Sequence, residues 1–308
     1  MPADPRAWRV GLVGYGEVGR ILAEDLRAQG VQVSAWDLKL ASPASATPLR
    51  DHAGQHGVEL ARSAVELAGR SDLLISAVTA SQAVPVAADC APGMPAGSFF
   101  LDVNSASPDA KQRAAALVDG AGGRYVEGAV MTSIPPHRIR VPLLLGGAAA
   151  ATLAPLLCSL GFAATVSSDR LGVASATKMC RSVVVKGLEA MLIESFTAAR
   201  FYGVEDAVLA SLHETFPGVD WERQGTYFFQ RVIEHGRRRS EELREVAETV
   251  RDAGLQPHSA AGTAERQAHI ADLADAGVFG LKHTPGFARS ADWRTEADRL
   301  LAHVKPKD

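Results

Sequence analysis

The feature that most constrains this chain is a glycine turn between a predicted strand and a predicted helix near its start. Trp8 to Val13 is predicted as a buried strand, Ile21 to Gly30 as a helix and Val31 to Trp36 as a second strand. Strand, turn, helix and strand therefore follow one another at the length of a βαβ unit. The turn carries the pattern G-x-G-x-x-G, which in this context is typical of dinucleotide binding.

Each glycine of the pattern has its own expected task. Gly14 permits a tight turn, Gly16 lets the backbone approach a pyrophosphate, and Gly19 allows the helix to pack closely on the strand. The helix N-terminus adds free N–H groups and the positive end of a dipole. We expect the loop to contact the cofactor along its whole length, through Gly14, Tyr15, Gly16, Glu17, Val18 and Gly19.

Asp37 closes the second strand, where the ribose of a bound dinucleotide arrives. A carboxylate there can accept hydrogen bonds from both ribose hydroxyls and repels a 2′-phosphate, so NAD is the preferred cofactor. Lys39 could meet a phosphate if Asp37 turned away, which leaves NADP possible.

Two further strands are predicted at Asp72 to Val78 and Ser98 to Val103. Nearly all their residues are apolar and helices separate them, which indicates an α/β, Rossmann-like domain with a parallel sheet covered on both faces. Ligands bind at the carboxyl ends of such strands. Ser107 and Pro108 are predicted to cap a helix, whereas Asn104 and Ser105 precede the cap and remain candidates for ligand contact.

A long helix is predicted from Lys178 to Gly203, and the rest of the chain is predicted to be helical. On a helix, Lys178, Arg181 and Ser182 share one face, so the lysine lies beside a second cation and is suited to proton transfer. The apolar residues expected on the buried side of this helix are Met179, Val183, Leu188 and Met191. We place a domain boundary near Asp169, with residues 1–169 binding the dinucleotide and residues 170–308 forming an all-α domain.

Composition excludes several classes of function. The formal net charge is −3 and no long basic block occurs, which argues against nucleic acid as a partner. Neither an uninterrupted apolar run long enough to span a membrane nor the apolar core of a signal peptide is present. The three cysteines are widely spaced, so no disulfide framework or metal site is expected and a reducing cytoplasm is the simplest setting.

Four motifs in this order give the chain a family resemblance. They are the glycine pattern, D-x-N-S-x-S-P from Asp102, the pair Gly146 and Gly147 after a predicted strand, and G-x-x-x-x-x-K ending at Lys178. The chain resembles the β-hydroxyacid dehydrogenase superfamily, which includes 3-hydroxyisobutyrate and 6-phosphogluconate dehydrogenases. It is most similar to a phosphogluconate-dehydrogenase-like branch whose C-terminal domain has no assigned function.

The resemblance implies a Rossmann-like domain, a long interdomain helix and an all-α domain through which two chains pair. It implies an NAD(P)-dependent oxidoreductase acting on CH–OH groups of a small molecule, with Lys178 as the catalytic lysine. Asn104 and Ser105 would lie by the nicotinamide and substrate. The strand-end loop that passes the cofactor would be Ala77, Val78 and Thr79.

The chain departs from the family in the expected substrate pocket. Ser182 replaces the asparagine four residues after the lysine, and Met131, Thr132 and Ser133 replace the S-G-G loop. Glu241 falls where a late lysine is usual. The positive group there could instead be Arg238, with His235 one turn before it. The candidate substrate-binding residues are therefore Ser105, Met131, Thr132, Ser133, Arg181, Ser182, His235 and Arg238.

Three functions remain open. The first is hydride transfer between nicotinamide and a hydroxy acid or related polar alcohol, with Lys178 as general acid and base. The second is oxidative decarboxylation of the 6-phosphogluconate type, and the third is a dinucleotide-binding interaction module without turnover. For Arg181, an anchoring role in the pocket competes with an ion pair to Asp102 or Glu127.

Overall fold

The computed structural model describes residues 2–304 except His283 and Pro285. The chain divides into two compact units, Met1–Met179 and Cys180–Asp308. The division falls within a long helix, ten residues after Asp169, and the functional boundary at Asp169 stays a prediction.

The first unit alternates strands and helices. Its strands are β1 (Arg9–Val13), β2 (Gln32–Trp36), β3 (Glu59–Leu60), β4 (Leu73–Ser76), β5 (Phe99–Asp102), β6 (Arg124–Val130), β7 (Pro142–Gly146) and β8 (Ala163–Ser168). Its helices are α1 (Glu17–Ala28), α2 (Pro43–His56), α3 (Ala64–Gly69), α4 (Ala83–Cys90), α5 (Pro108–Gly120), α6 (Ile134–His137) and α7 (Ala150–Ser159). The Rossmann-like arrangement predicted from the sequence is confirmed.

All eight strands of the described residues form one sheet in the order β3-β2-β1-β4-β5-β6-β7-β8. Every neighbouring pair is parallel except β6 and β7, which run antiparallel with Glu127 opposite Gly146. Residues 131–141 join these two strands and contain only short helical turns. A parallel pairing needs a longer crossover, so this connection forces the chain to reverse.

Alternate strand residues enter two separate hydrophobic clusters. Ile75 and Leu101 belong to the cluster on one face of the sheet. Leu74 and Phe100 belong to the cluster on the other. Successive side chains of a strand point to opposite faces, so strands buried on both sides are apolar throughout.

All the regular secondary structure in the described residues of the second unit is helical. A long helix, α8 (Val173–Tyr202), begins in the first unit and continues into the second, followed by α9 (Glu205–Thr215), α10 (Trp221–Asp252), α11 (His258–Asp275) and α12 (Trp293–Val304). A Cβ added at Gly236 of α10 would lie 2.7 Å from the carbonyl oxygen of Gln267, so glycine permits the close approach of α10 and α11. Phe196, Phe229 and Trp293 lie in the core of this unit.

Two expectations for α8 are wrong. Leu188 and Met191, predicted for its buried side, are 37% and 59% exposed, whereas Met179 is buried. Helical periodicity defines faces but does not determine which face another element covers. Among the described residues, every helix is too short or too polar to cross a bilayer.

Candidate active site

The glycine loop between β1 and α1 takes the geometry expected of its three glycines. Gly14 has φ +92°, and a Cβ there would lie 2.4 Å from the Ala77 carbonyl oxygen. A Cβ at Gly19 would lie 2.2 Å from the Gly14 carbonyl oxygen. At Gly16 no atom lies within 4 Å of such a Cβ, so the backbone there is open to an approaching group.

The N-terminus of α1 fits the diphosphate of a dinucleotide. Gly16 is its N-cap residue, and no side chain caps the first turn. The first N–H groups of the helix are therefore not capped by a side chain and can donate to an anion, which the helix dipole also favours there. Glu17 is exposed and Val18 is half-buried at this end of the helix.

Asp37 holds the glycine loop in place. Its Oδ2 accepts a hydrogen bond from the Tyr15 backbone N–H at 2.8 Å, and its Oδ1 accepts one from the Lys39 N–H at 2.8 Å. Each carboxylate oxygen can accept a further hydrogen bond, so both can still meet ribose hydroxyls. The Lys39 side chain is exposed.

Asn104 fastens together the ends of β4 and β5. It is 4% exposed, its Oδ1 accepts from the Val78 N–H at 2.6 Å, and its Nδ2 donates to Ser76 Oγ at 2.9 Å. Ala77, Val78 and Thr79 follow β4 directly. Asn104 fixes the backbone of this segment through the Val78 N–H.

A buried ionic network supports the segment before Asn104. Asp102 is fully buried and accepts hydrogen bonds from Lys111 Nζ at 2.8 Å, Tyr125 OH at 2.6 Å and the Asn104 N–H at 2.9 Å. Burial, together with the nearby Asp102 carboxylate, raises the pKa of Tyr125 well above its ordinary value. Sequence reasoning missed Lys111 and Tyr125, although an acid at the end of an apolar strand signals a buried partner.

Lys178 reaches the same edge of the sheet. Its Nζ donates a hydrogen bond to Ser105 Oγ at 2.7 Å. Both side chains are half-buried. The lysine and the serine that follows Asn104 are thereby brought together at the carboxyl end of β5.

Glu127 on β6 fixes the first turn of α8, on which Lys178 lies. Its carboxylate is fully buried and accepts from the backbone N–H groups of Gly172 at 2.7 Å and Ala174 at 3.1 Å, and from Ser175 Oγ at 2.7 Å. A carboxylate at a helix N-terminus also interacts favourably with the helix dipole. Glu127 is a positioning residue that sequence reasoning did not identify; its signal is a charge inside an apolar strand.

The loop Met131 to Ser133 follows β6. Met131 and Ser133 are half-buried and Thr132 is exposed. Farther along this connection, Arg138 has φ +53° and donates to Glu24 at 2.7 Å and to Asp25 at 2.8 Å, both on α1. The connection is therefore anchored to the helix that begins at the glycine loop.

The remaining candidates lie in the second unit. Arg181 is exposed and Ser182 is 5% exposed on α8. His235 is half-buried, and burial, aided by neighbouring arginines, lowers its pKa to about 4. The two acids considered as partners for Arg181, Asp102 and Glu127, are satisfied by the groups of the first unit described above.

The arginine run on α10 is not a uniformly solvated face. Arg237 pairs with Asp272 and Asp275, and the exposed Arg238 pairs with Glu242 at 2.6 Å. Arg239 is 5% exposed and pairs with Glu189. All three guanidinium groups have carboxylate partners, so Arg238 is engaged rather than held ready for an anion.

In the first unit, the glycine loop, the end of β4, Asn104, Ser105 and Lys178 form one continuous band. The glycine loop contacts the end of β4, Asn104 joins that end to β5, and Ser105 connects to Lys178. The fold and this band define a dinucleotide-binding protein of the Rossmann type.

Comparison with known proteins narrows the class. Residues 9–161 match the family described as the NAD binding domain of 6-phosphogluconate dehydrogenase, and residues 199–270 match a domain of unknown function, DUF1932. The chain belongs to the β-hydroxyacid dehydrogenase-like superfamily. It has the dinucleotide-binding fold of the 3-hydroxyacid dehydrogenases, which are NAD(P)-dependent oxidoreductases.

Three relatives illustrate the match. The crystal structure of a conserved hypothetical protein from Sinorhizobium meliloti 1021 is 33% identical, with 96% of each chain covered and a TM-score of 0.74. The 3-hydroxyisobutyrate dehydrogenase of Mycobacterium tuberculosis, solved with L-serine, is 16% identical with a TM-score of 0.70, covering 96% of this chain and 99% of that one. The mitochondrial 3-hydroxyisobutyrate dehydrogenase of Drosophila melanogaster is 24% identical over 72% of this chain and 67% of that protein.

Proposed function

We propose that this protein is an NAD(P)-dependent dehydrogenase that transfers hydride between nicotinamide and a hydroxy acid or related polar alcohol. Residues 1–169 bind the dinucleotide in this proposal, and residues 170–308 contribute to substrate binding. The observation that supports it best is the 2.7 Å contact between Lys178 Nζ and Ser105 Oγ, at the sheet edge that carries the glycine loop.

In this proposal Lys178 is the general acid and base. Its amine accepts the substrate hydroxyl proton during oxidation and returns it to the carbonyl oxygen during reduction. Ser105 holds the amine, Asn104 fixes the neighbouring loop, and Glu127 fixes the first turn of the helix that carries the lysine. The nicotinamide, when bound, accepts or supplies the hydride.

Replacing Lys178 by alanine tests this role. We expect turnover to fall by at least about a thousandfold while dinucleotide affinity changes little, because the lysine is absent from the glycine loop. Thr177→Ala is the matched control, since the exposed Thr177 side chain donates to the Val173 carbonyl within its own helix and bonds no other group in the described part of the chain. Lys178→Ala turnover within about tenfold of the wild type would refute the role.

We propose NAD as the preferred cofactor because Asp37 ends β2 at the position for ribose hydroxyls. Titration of the protein with NAD and NADP should give the tighter dissociation constant for NAD. Asp37→Ala should weaken NAD binding and reduce the difference between the affinities for NAD and NADP. A wild-type protein that prefers NADP would contradict the proposal and direct attention to Lys39.

We propose a pocket that favours bulkier, partly apolar substrates over small free carboxylates. Met131 brings an apolar side chain where the family has a small residue, and Thr132 and Ser133 bring hydroxyls where it has glycine. Arg181 anchors any negative charge, and Ser182 takes the place of the family's asparagine. Short acids such as 3-hydroxyisobutyrate should therefore give a lower kcat/KM than larger aryl or alkyl analogues, and Arg181→Ala should lower kcat/KM for acidic substrates only.

The two other functions predict different measurements. Oxidative decarboxylation would release carbon dioxide during turnover, and the carboxylate partners of the arginine run weaken the case for its anion site. A module without turnover would bind dinucleotide tightly yet leave a wide panel of alcohols and aldehydes unchanged in the presence of either cofactor.

We propose that two chains pair through the second unit. Val184, Leu188 and Met191 lie one turn apart on α8 and form an exposed apolar stripe, with exposures of 62%, 37% and 59%. Such a stripe suits a second copy of the same helix around a two-fold axis. Light scattering should give the mass of a dimer, and Met191→Asp should shift it toward the monomer.

A further inference from the structure

Outside the band that contains Lys178, helices α1 and α2 bring together a carboxylate and two imidazoles. His52 and His56 lie one turn apart on α2, with ring centroids 4.4 Å apart. Glu24 on α1 faces them, with its Oε1 2.9 Å from His52 Nε2. One potential ligand atom from each of the three residues lies within 4.8 Å of the others.

Two of these side chains are each held in orientation by a hydrogen bond to a further protein group. His52 Nδ1 lies 2.8 Å from the hydroxyl of Tyr15, which is fully buried in the glycine loop. The second oxygen of Glu24 accepts from Arg138 at 2.7 Å. A ligating histidine commonly bonds through its other ring nitrogen to a protein group that fixes its orientation, and Tyr15 occupies that position here.

The ion pair between Glu24 and His52 does not explain why His56 lies beside them. Within the described part of the chain, no group bonds either ring nitrogen of His56, although the ring is half-buried against His52. The contact between Glu24 and His52 accounts for two residues of the cluster, and a shared ion accounts for all three.

The geometry points to a site for a divalent transition metal of the zinc class. We propose that Glu24 Oε1, His52 Nε2 and a ring nitrogen of His56 bind such an ion and leave one position open. Two imidazoles and a carboxylate suit zinc, cobalt or nickel, whereas calcium and magnesium prefer oxygen ligands throughout. Arg138 pairs with Asp25 as well as with Glu24. Two carboxylates therefore balance the positive charge of the guanidinium, which would otherwise repel the ion.

The movement that binding requires is small. A tetrahedral ion with bonds of about 2.1 Å holds its ligand atoms ~3.4 Å apart. The separations of up to 4.8 Å must therefore close by up to roughly 1.4 Å, and the 2.9 Å between Glu24 Oε1 and His52 Nε2 must open by roughly 0.5 Å. We expect rotations of the His56 and Glu24 side chains about their torsions to supply these shifts. The predicted absence of a metal site overlooked the spacing of His52 and His56, which places two imidazoles on one helix face.

The test uses the full chain, without a histidine tag and freed of metal by a chelator. Zinc competition against a chromophoric chelator should give one ion per chain with a dissociation constant of about 10 μM or tighter, and Co²⁺ should give visible absorption bands of a four-coordinate site. Zinc should also raise the melting temperature, because it binds only the folded protein.

His56→Gln should weaken zinc binding at least about a hundredfold and remove the zinc-dependent rise in melting temperature. This variant should fold, since the ring it removes makes no hydrogen bond among the described residues, and circular dichroism checks that it does. His213→Gln, at an exposed histidine of α9, is the matched control and should bind zinc like the wild type. Absence of a stoichiometric site in the wild type, or equal zinc affinity in His56→Gln, would overturn the proposal.

Discussion

In the Glu127→Gln variant the start of α8 should unfold more readily than in the wild type, because glutamine cannot replace both carboxylate oxygens. Oε1 of Glu127 accepts from Gly172 and Ala174, and Oε2 accepts from the backbone N–H of Ser175 at 3.3 Å and its Oγ at 2.7 Å. In the amide one oxygen becomes an NH₂ group. At the Oε2 position it would face the Ser175 N–H, although the Ser175 hydroxyl could turn to accept from it and donate to the Gly172 carbonyl. Gly146 on the neighbouring strand leaves room for this carboxylate, since a Cβ there would lie 2.3 Å from Oε1.

The expected cost follows from these contacts. One buried donor, the Ser175 N–H, loses its acceptor at about 1–3 kcal/mol. The helix N-terminus also loses its charge partner, at about 0.3–2 kcal/mol, so we expect a loss of about 2–4 kcal/mol. Hydrogen exchange of the Ala174 and Ser175 amides in native conditions measures the local change directly. Turnover should fall more than dinucleotide affinity, because the displaced turn leads to Lys178 and not to the glycine loop.

Asp109→Asn provides the matched control. Asp109 is also a carboxylate in the first turn of a helix, but its side chain is 59% exposed and pairs with Arg113 at 2.9 Å. Solvent screens such a pair, so the substitution should cost less than about 1 kcal/mol. If Glu127→Gln costs no more than this control, Glu127 does not hold α8 in the way described.

Three further predictions follow from individual residues. Asn104→Ala should cost about 1–3 kcal/mol and weaken dinucleotide binding, because the half-buried Val78 N–H loses its acceptor; unchanged urea unfolding and affinity would contradict this. The pKa of His235 falls from 6.5 to about 4 on folding, so the unfolded chain binds more protons between these values and stability should decline as pH falls through that window; His235→Gln should flatten the decline in pH-dependent melting curves. Burial raises the pKa of the Cys90 thiol to about 12, so disulfide reagents near neutral pH should modify Cys90 only at the rate at which the protein unfolds.

The sequence predicts the parts of this protein whose cause is local. Gly14 needs a positive φ and Gly19 needs a close backbone contact, and both requirements are visible in the spacing of the glycines. The cap of α5 is also local, since the Ser107 hydroxyl accepts from the Ala110 N–H as predicted. The four predicted strands match β1, β2, β4 and β5 to within one or two residues at each end, whereas the short β3 was not predicted.

The sequence does not predict contacts between distant residues. Glu127 bonds to residues that follow it by more than forty positions, and Asp102 bonds to Tyr125 from another strand. The antiparallel β7 depends on how far its connection can reach, and the exposure of Met191 depends on which helix covers α8. The sequence pattern of a single strand or helix is compatible with several arrangements. Only the assembled fold determines which of these contacts form.

The two borders of the sheet differ in how readily another strand could add to them. β3, with only Glu59 and Leu60, is too short to template a new strand. β8 is longer, but most of its residues are exposed and its sequence AATVSS is small and hydroxyl-rich. An added strand would gain backbone hydrogen bonds there but little apolar packing, so both borders resist the edge-to-edge association that leads folded sheets into aggregates.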